Sequence, residues 1–451
     1  RMGIPVTGKN LFPSNIQGLP TWYEIRANHH GYMSRSMHVD VMVAMNAQTY
    51  QRDLEEVSPG GFLIYDSTWP RERELHRDDI TVLGVPLAKL CNEHFSDARV
   101  RILMKNVAYV GALAALLDID TKVLRSLIEN MFASKPKLVE SNLEAINLGF
   151  DYAKNNFSCP LPVHAETMGD NEGYILMDGN AAAGLGCVYA GATVGAWYPI
   201  TPSTSMMDSF NYYCEMFRKN AETGEKNYCI IQAEDEPAAA GIVLGANWTG
   251  ARAFTPTSGP GISLMSEFIG FAYYTEIPSV FFNVQRVGPS TGMPTRTQQC
   301  DIMMCAYASH GDTMHPLLLP ANPKECFEMT VTGFDLAERL QTPVILMSDL
   351  DLGMNVHQCD PIEWDEKAVY DRGKVLNKQQ LDELPEKWGR YLDVDGDGIP
   401  YRTIPGTHPE KGAYFTRGSS HDEYAAYTED GTIYAAGMQR LLVKCDTAKR
   451  T

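Results

Sequence analysis

The segment GAWYPITPSTS, residues 195–205, decides the fold. An apolar strand runs into Tyr198, two prolines bracket Ile200 and Thr201, and Ser203, Thr204 and Ser205 follow. Such a stretch is too stiff for a linker and too polar for a core. Pro202 suits the first position of a helix, where its missing N–H is not needed, and Thr201 can cap that helix. Met206, Phe210, Cys214 and Phe217 then recur on one helical face. The segment predicts a strand, a rigid turn and a helix start. The backbone N–H groups and the hydroxyls of Thr201, Ser203 and Thr204 are then free to face an anion. Ordinary capping is the plainer alternative.

The same alternation extends to both sides. A helix is expected over 181–190, strands over 229–233, 252–255, 278–285 and 342–348, and helices from 202, over 237–248 and over 263–275. Strands alternating with helices make an α/β fold with a doubly wound parallel sheet, whose ligands bind beyond the carboxyl ends of the strands. Upstream, residues 1–157 read as a smaller α/β unit with strands starting near His38, Gly60 and Ile80. Apolar residues at 124, 127, 128 and 131 mark a helix that Asp120 can cap. A polar connector over 155–170 leads to the larger domain, 171–354. Residues 355–451 form a third segment, polar and rich in Pro and Gly over 360–420. It reads as a long connector wrapped on a surface, with a final helix within 424–444.

The expected strand ends converge on one rim. QAEDEPAAAGIVLGA places Glu236 at the start of a helix of small apolar residues. A carboxylate against such a wall is partly desolvated and suited to share a proton. The plainer role is a first-turn acid facing the helix dipole, to which Glu234 and Asp235 have equal claim. The small residues leave room for something flat. TPTSGPG, residues 255–261, is a Gly-Pro-Gly turn that exposes backbone N–H groups. Arg286 ends the next strand, before VGPSTGMPTRTQQCD. Its fork can grip a carboxylate through two hydrogen bonds, unless it serves a structural ion pair.

Bulk properties exclude several classes. The net charge of −18 over 451 residues argues against nucleic acid and against a docking face for a strongly acidic partner. The longest apolar run, residues 107–117, is about half of the roughly 20 residues that a spanning helix needs, and no secretory h-region is present. A soluble, cytoplasmic protein is expected, with no membrane partner. Ten cysteines lack any CxxC spacing, which argues against a zinc site or an iron–sulfur cluster on this chain.

YPITPST, the Glu236-Pro-Ala-Ala-Ala-Gly helix start, TSGPGISLM and QRVGPSTGMPTRTQQCD together resemble the α subunits of 2-oxoacid:ferredoxin oxidoreductases. The resemblance is to the 2-oxoglutarate branch, in which a γ-type domain precedes the pyrimidine-binding domain of the thiamine diphosphate fold. It covers nearly the whole chain, with NVAYVGALAALLDID in the γ-type part. It implies decarboxylation of a 2-oxoacid on thiamine diphosphate, transfer of the acyl group to coenzyme A and of electrons to ferredoxin. By position, Glu236 matches the acid that bonds N1′ of the pyrimidine. Thr201 and Arg286 match residues that hold the oxoacid, with Ser203 beside them. Tyr198, Pro199, Ile200, Thr257, Ser258 and Gly259 fall where the coenzyme lies. A β subunit is implied to bring Mg²⁺ and the [4Fe-4S] clusters, giving a heterotetramer. Pyruvate or a branched-chain 2-oxoacid is the alternative substrate, and a non-catalytic scaffold the alternative role. The family's fused α subunits extend further, so the chain is expected to lack a C-terminal domain and the start of the γ-type domain.

Gly396-Asp397-Gly398 resembles a diphosphate motif, but no Asn follows it. Asp393, Asp395 and Asp397 form the front half of a calcium loop whose twelfth position is Ile404, which supplies no carboxylate. A metal-free Asx loop is expected, with a weak Ca²⁺ or Mg²⁺ site as the alternative.

Overall fold

The computed structural model describes residues 1–14, 19–71, 73–169, 171–384 and 388–450. It divides into two compact units, one of Arg1–Thr7 and Gln17–Gly173, the other of Gly8–Ile16 and Tyr174–Thr451.

In the first unit, strands β1 (Val39–Ala44), β2 (Val57–Asp66) and β3 (Thr81–Val85) form a parallel sheet in that order. Helices α1 (Leu87–His94), α2 (Ala98–Leu116), α3 (Thr121–Met131) and α4 (Pro136–Asn156) follow. Phe62, Ile64, Leu83 and Val85 pack against the small face of α2, Ala108, Ala112 and Ala115, and against Ala145 and Ala153 of α4. The alanines and glycines let the two helices touch through their backbones. A Cβ at Gly111 would lie 1.9 Å from the Ile146 carbonyl oxygen, and one at Gly149 would lie 1.8 Å from that of Ala108. Asp120 caps α3 as expected, accepting from the Lys122 N–H at 2.8 Å. The apolar stripe of α3 has no fully buried residue, and Met131 is exposed. Residues 157–169 contain neither helix nor strand, and Asp170 lies outside the described residues.

The second unit holds a six-stranded, fully parallel sheet. Its elements in chain order are α5 (Gly179–Tyr189), β4 (Val194–Trp197), α6 (Thr204–Phe217), β5 (Cys229–Gln232), α7 (Glu236–Trp248), β6 (Ala253–Thr257), α8 (Gly259–Thr275) and β7 (Ser279–Gln285). Then come β8 (Leu317–Leu318), α9 (Pro323–Leu340), β9 (Pro343–Asp349) and, near the end, α10 (Gly431–Ala448). The strand order is β8-β9-β7-β6-β4-β5. Alternate residues of each strand serve opposite faces. Phe254, Val280 and Phe282 pack on α5, α6 and α9, whereas Phe281, Ile345 and Met347 pack beneath α8. From β4 the chain moves outward to β5, then jumps back over β4 to β6. The order therefore reverses at β4, and the helices leaving β4 and β5 diverge onto opposite faces. Such a reversal opens a crevice at the carboxyl ends of the strands.

Two expectations need correction. Met206, Phe210 and Cys214 are buried on α6, but Phe217 is 53% exposed and stacks on Trp364 with ring centroids 5.2 Å apart. The segment over 360–420, read as a surface wrap, carries buried Tyr391, Ile399, Arg390 and Arg402; its residues 385–387 lie outside the described ones. Arg402 and Arg372 (3.2 Å) pair with Glu338 of α9, and the Arg390 guanidinium donates to the Glu276 carbonyl at 2.8 Å. Buried charged side chains help fasten this segment to the domain beside apolar ones such as Ile362 and Ile399, and those charges are invisible to a hydropathy pattern.

Glu276, at the end of α8, is fully buried and takes Arg440 at 2.6 Å and Lys444 at 2.8 Å from α10. Burial opposes its ionisation, but Arg440, Lys444 and Arg390 outweigh it and hold the carboxyl down at about 2. Burial also pushes the Lys444 ammonium below its ordinary value, so the pair's net contribution is smaller than the glutamate alone implies. Replacing Glu276 with Ala leaves two buried cations without a counter-charge. It should lower the unfolding free energy, read by urea titration, by about 3–5 kcal/mol. The folded value lies below the ordinary one. The stabilisation is therefore complete above pH 4.5 and lost as pH falls towards about 2. Glu276→Gln should show a smaller loss of stability than the wild type across that window.

Candidate active site

The reversal at β4 places the 195–205 turn in the crevice. Its local geometry departs from the expected cap. Helix α6 starts at Thr204, two residues after Pro202, and the Thr201–Pro202 peptide is cis. Thr201 is not the cap. The N–H groups of Ser203 (2.9 Å) and Thr204 (3.2 Å) and both their hydroxyls (3.1 and 3.3 Å) all donate to the Ile200 carbonyl. The turn consumes these donors itself, so Ser203, which is fully buried, is not free to face an anion. The Thr201 hydroxyl alone keeps the expected freedom, with no hydrogen bond among the described residues and a half-buried position.

Two side chains fix this turn from opposite sides. Asn180, near the start of α5 and 1% exposed, donates through Nδ2 to the Pro202 carbonyl and to the Ser205 hydroxyl, each at 2.8 Å. Arg286, just beyond β7, donates through Nη1 to the Thr201 carbonyl at 2.7 Å. Among the described residues no carboxylate pairs with Arg286, and its Nε makes no hydrogen bond, so most of the fork stays uncommitted. Burial pushes the guanidinium below its ordinary value, and the carboxylate of Glu236 pulls it back. Glu236 is close enough for that attraction to reach Arg286, and Arg286 is hydrogen-bonded to the Thr201 backbone, so Arg286 links the other two residues.

Glu234 and Asp235 had the same claim as Glu236 on the plain helix-start role only; the structure gives the cap to Asp235. Asp235 caps α7, accepting from the Ala238 N–H at 2.7 Å. Glu236 is buried at 7% exposure, yet its carboxylate makes no hydrogen bond or ion pair among the described residues and is not sealed in. Beside it stand Ala238, Ala239, Ala240 and Gly241. Opposite lies the first turn of α8, which begins at Gly259 rather than after the Gly-Pro-Gly stretch. A Cβ at Gly261 would fall 3.1 Å from Glu236 Cγ and 1.9 Å from Thr257 Oγ1. Glycine is required there by space. Thr257 and Ser258 are fully buried, and Ser258 Oγ has no partner. Tyr198 and Pro199 are exposed and Ile200 half-buried, leaving the turn's outer surface open.

The aspartate loop does not become a metal site. Asp393 accepts from the N–H groups of Gly396 and Gly398, both at 2.9 Å, as an Asx turn does. The Lys374 ammonium lies between Asp395 (2.6 Å) and Asp397 (2.9 Å), where a cation would sit. No group of three potential metal ligands occurs among the described residues. The Lys374 ammonium thus takes the place that the alternative reading of Asp393, Asp395 and Asp397 gave to a weak Ca²⁺ or Mg²⁺ ion. Sequence reasoning also missed Asn180. Its signal was only an amide two residues after the helix cap Asp178.

Residues 185–432 match the family model described as pyruvate flavodoxin/ferredoxin oxidoreductase, thiamine diP-binding, and residues 1–152 match that described as pyruvate ferredoxin/flavodoxin oxidoreductase. The chain is 31% identical to a 2-oxoacid:ferredoxin oxidoreductase α subunit of Aeropyrum pernix, over 95% of this chain and 72% of that one. It is 37% identical to the 2-oxoglutarate synthase subunit KorA of Methanocaldococcus jannaschii, over 55% of this chain and 65% of the relative. Among solved structures, the 2-oxoglutarate:ferredoxin oxidoreductase of Magnetococcus marinus superposes with a TM-score of 0.87 at 28% identity. The match covers all of this chain and 75% of that one. No helix among the described residues is long and apolar enough to cross a membrane. A parallel sheet reversing at β4, with an acid, an arginine and a glycine turn at its rim, is therefore the frame of a known enzyme family: the chain belongs to the α subunits of the 2-oxoacid:ferredoxin oxidoreductases.

Proposed function

We propose that this chain is the α subunit of an enzyme that converts 2-oxoglutarate and coenzyme A to succinyl-CoA, or the reverse, exchanging electrons with ferredoxin. The observation that carries the reading is the contact of Arg286 with Thr201 beside an unpaired, buried Glu236. The Magnetococcus marinus enzyme, whose structure holds 2-oxoglutarate, coenzyme A and succinyl-CoA, and the KorA relatives favour 2-oxoglutarate over pyruvate or a branched-chain oxoacid.

The crevice fits the pyrimidine of thiamine diphosphate. The small residues of α7 and the Gly261 turn, where a Cβ would strike Thr257 Oγ1 at 1.9 Å, keep side chains away from Glu236, whose carboxylate makes no hydrogen bond among the described residues. When bound, the coenzyme supplies the carbanion chemistry that cleaves the bond to the oxoacid's carboxylate. Glu236 would hold a proton against ring nitrogen N1′, and the low polarity around it strengthens that bond. Gly259 would border the coenzyme on one side, with the fully buried Thr257 and Ser258 behind it, and Tyr198, Pro199 and Ile200 on the other. Arg286 keeps enough donors to grip the 1-carboxylate while Nη1 stays on the Thr201 carbonyl. That bond turns the Thr201 hydroxyl into the rim, where it can donate to the keto oxygen. Ser203 supports the turn from within. Mg²⁺ and the [4Fe-4S] clusters are assigned to a β subunit, which completes the site, because the cysteines and acids of this chain lack cluster or diphosphate spacing.

Co-purified with its β subunit, the chain should reduce a low-potential dye with 2-oxoglutarate and coenzyme A, faster than with pyruvate or a branched-chain oxoacid. Faster reduction with either alternative corrects the substrate. Glu236→Ala should cut turnover by about 10²–10⁴-fold while the complex still assembles on gel filtration; unchanged turnover would favour a scaffold. Arg286→Lys keeps the charge but loses the fork, and should raise KM for the oxoacid by about tenfold or more in the same assay.

A further inference from the structure

A second buried acid stands on the far side of the Gly-Pro-Gly turn, without a role in the reading above. Asp301 occupies the N-cap position of a short helix, Ile302–Ala306, but its side chain does not cap it. It turns towards β7 and α8 instead and is 8% exposed. Oδ2 accepts from Asn283 Nδ2 at 2.8 Å, and Oδ1 is enclosed without a partner. A Cβ at Gly259 would stand 2.5 Å from Oδ2. The carboxyl thus presses on the first residue of α8, as Glu236 presses on Gly261. Each glycine of the turn faces its own acid.

The surroundings of Asp301 are short of donors. Asn283 pairs in register with Thr257, next to Ser258. Asn283 Oδ1 and Ser258 Oγ are enclosed without partners among the described residues, like Asp301 Oδ1, so the Ser258 hydroxyl reaches neither oxygen. No cation forms an ion pair with Asp301 among the described residues. Asn283 faces it from β7, Gly259 and Ser258 from α8, and Cys305 from its own short helix. Burial pushes that thiol up to about 12, so it is uncharged. Burial raises the Asp301 carboxyl too, against the Asn283 hydrogen bond.

We propose that Asp301 is a positioning residue for the coenzyme: a carboxyl wedged against Gly259 that fixes the first turn of α8, and with it Gly261, opposite Glu236. The inference rests on the thiamine diphosphate reading of the crevice. It acts through the turn, because the enclosed oxygen cannot reach a ligand itself.

The test is equilibrium dialysis of thiamine diphosphate against the α/β complex. Asp301→Ala should weaken binding about tenfold, and Asp301→Asn, neutral and of the same shape, should restore it. Gly259→Ala should also weaken binding, because its Cβ strikes the carboxyl. The double variant Gly259→Ala/Asp301→Ala should lose less than the two single losses combined. Wild-type affinity in Asp301→Ala overturns the inference, and an Asp301→Asn loss equal to that of alanine overturns the wedge. Should the alanine variant fail to assemble, Gly259→Ala decides: weaker binding supports the wedge, and unchanged binding overturns it. A wild-type complex that binds no coenzyme overturns the thiamine reading and this inference together.

Discussion

The hydrogen bond from Arg286 to the Thr201 carbonyl is the constraint on which the site depends. Its two ends belong to β7 and β4, which are not neighbours, since β6 lies between them. Two inter-strand steps span about 10 Å, and only an arginine or lysine side chain bridges that distance. Arginine does so with one donor and keeps the rest. The bond ties the turn after β4 to the end of β7, two strands away, and Asn180 holds the same turn through the Pro202 carbonyl and the Ser205 hydroxyl. The Thr201 hydroxyl and the free side of the guanidinium are left in one place.

Topology supplies the remainder. Because the strand order reverses at β4, α6 and α7 leave the rim on opposite faces and open a crevice between their starts. Glu236 stands at one of those starts and the 195–205 turn at the other. The residues that make the crevice narrow are small for steric reasons: a side chain at Gly261 would occupy the space of Thr257 Oγ1. The acid is therefore poised by its packing. Asp235 takes the capping duty that would otherwise have engaged Glu236.

Much of this was legible in the chain. The alternation of apolar runs and helical faces marks the parallel sheet, because strands buried on both faces read as continuous apolar stretches. Thr201, Glu236 and Arg286 stood out as polar residues just where such stretches end. What was not legible came from contacts between charges distant in sequence. Glu276 with Lys444, Glu338 with Arg402, and Lys374 with Asp395 each join segments that hydropathy assigns to solvent. The third pair also explains why the aspartate loop imitates a cation site. The cap on α6 was misplaced for a local reason: four donors converge on the single Ile200 carbonyl, which moves the helix start beyond Pro202.

A crystal structure of the α/β complex with thiamine diphosphate is the decisive measurement. The aminopyrimidine ring is expected between the small residues after Glu236 and the Gly261 turn, with a ring nitrogen within hydrogen-bond distance of the Glu236 carboxylate and with Thr201 and Arg286 on the open side. Density for the coenzyme at another edge of the sheet, or a Glu236 carboxylate engaged by protein groups instead of the ring, would contradict it.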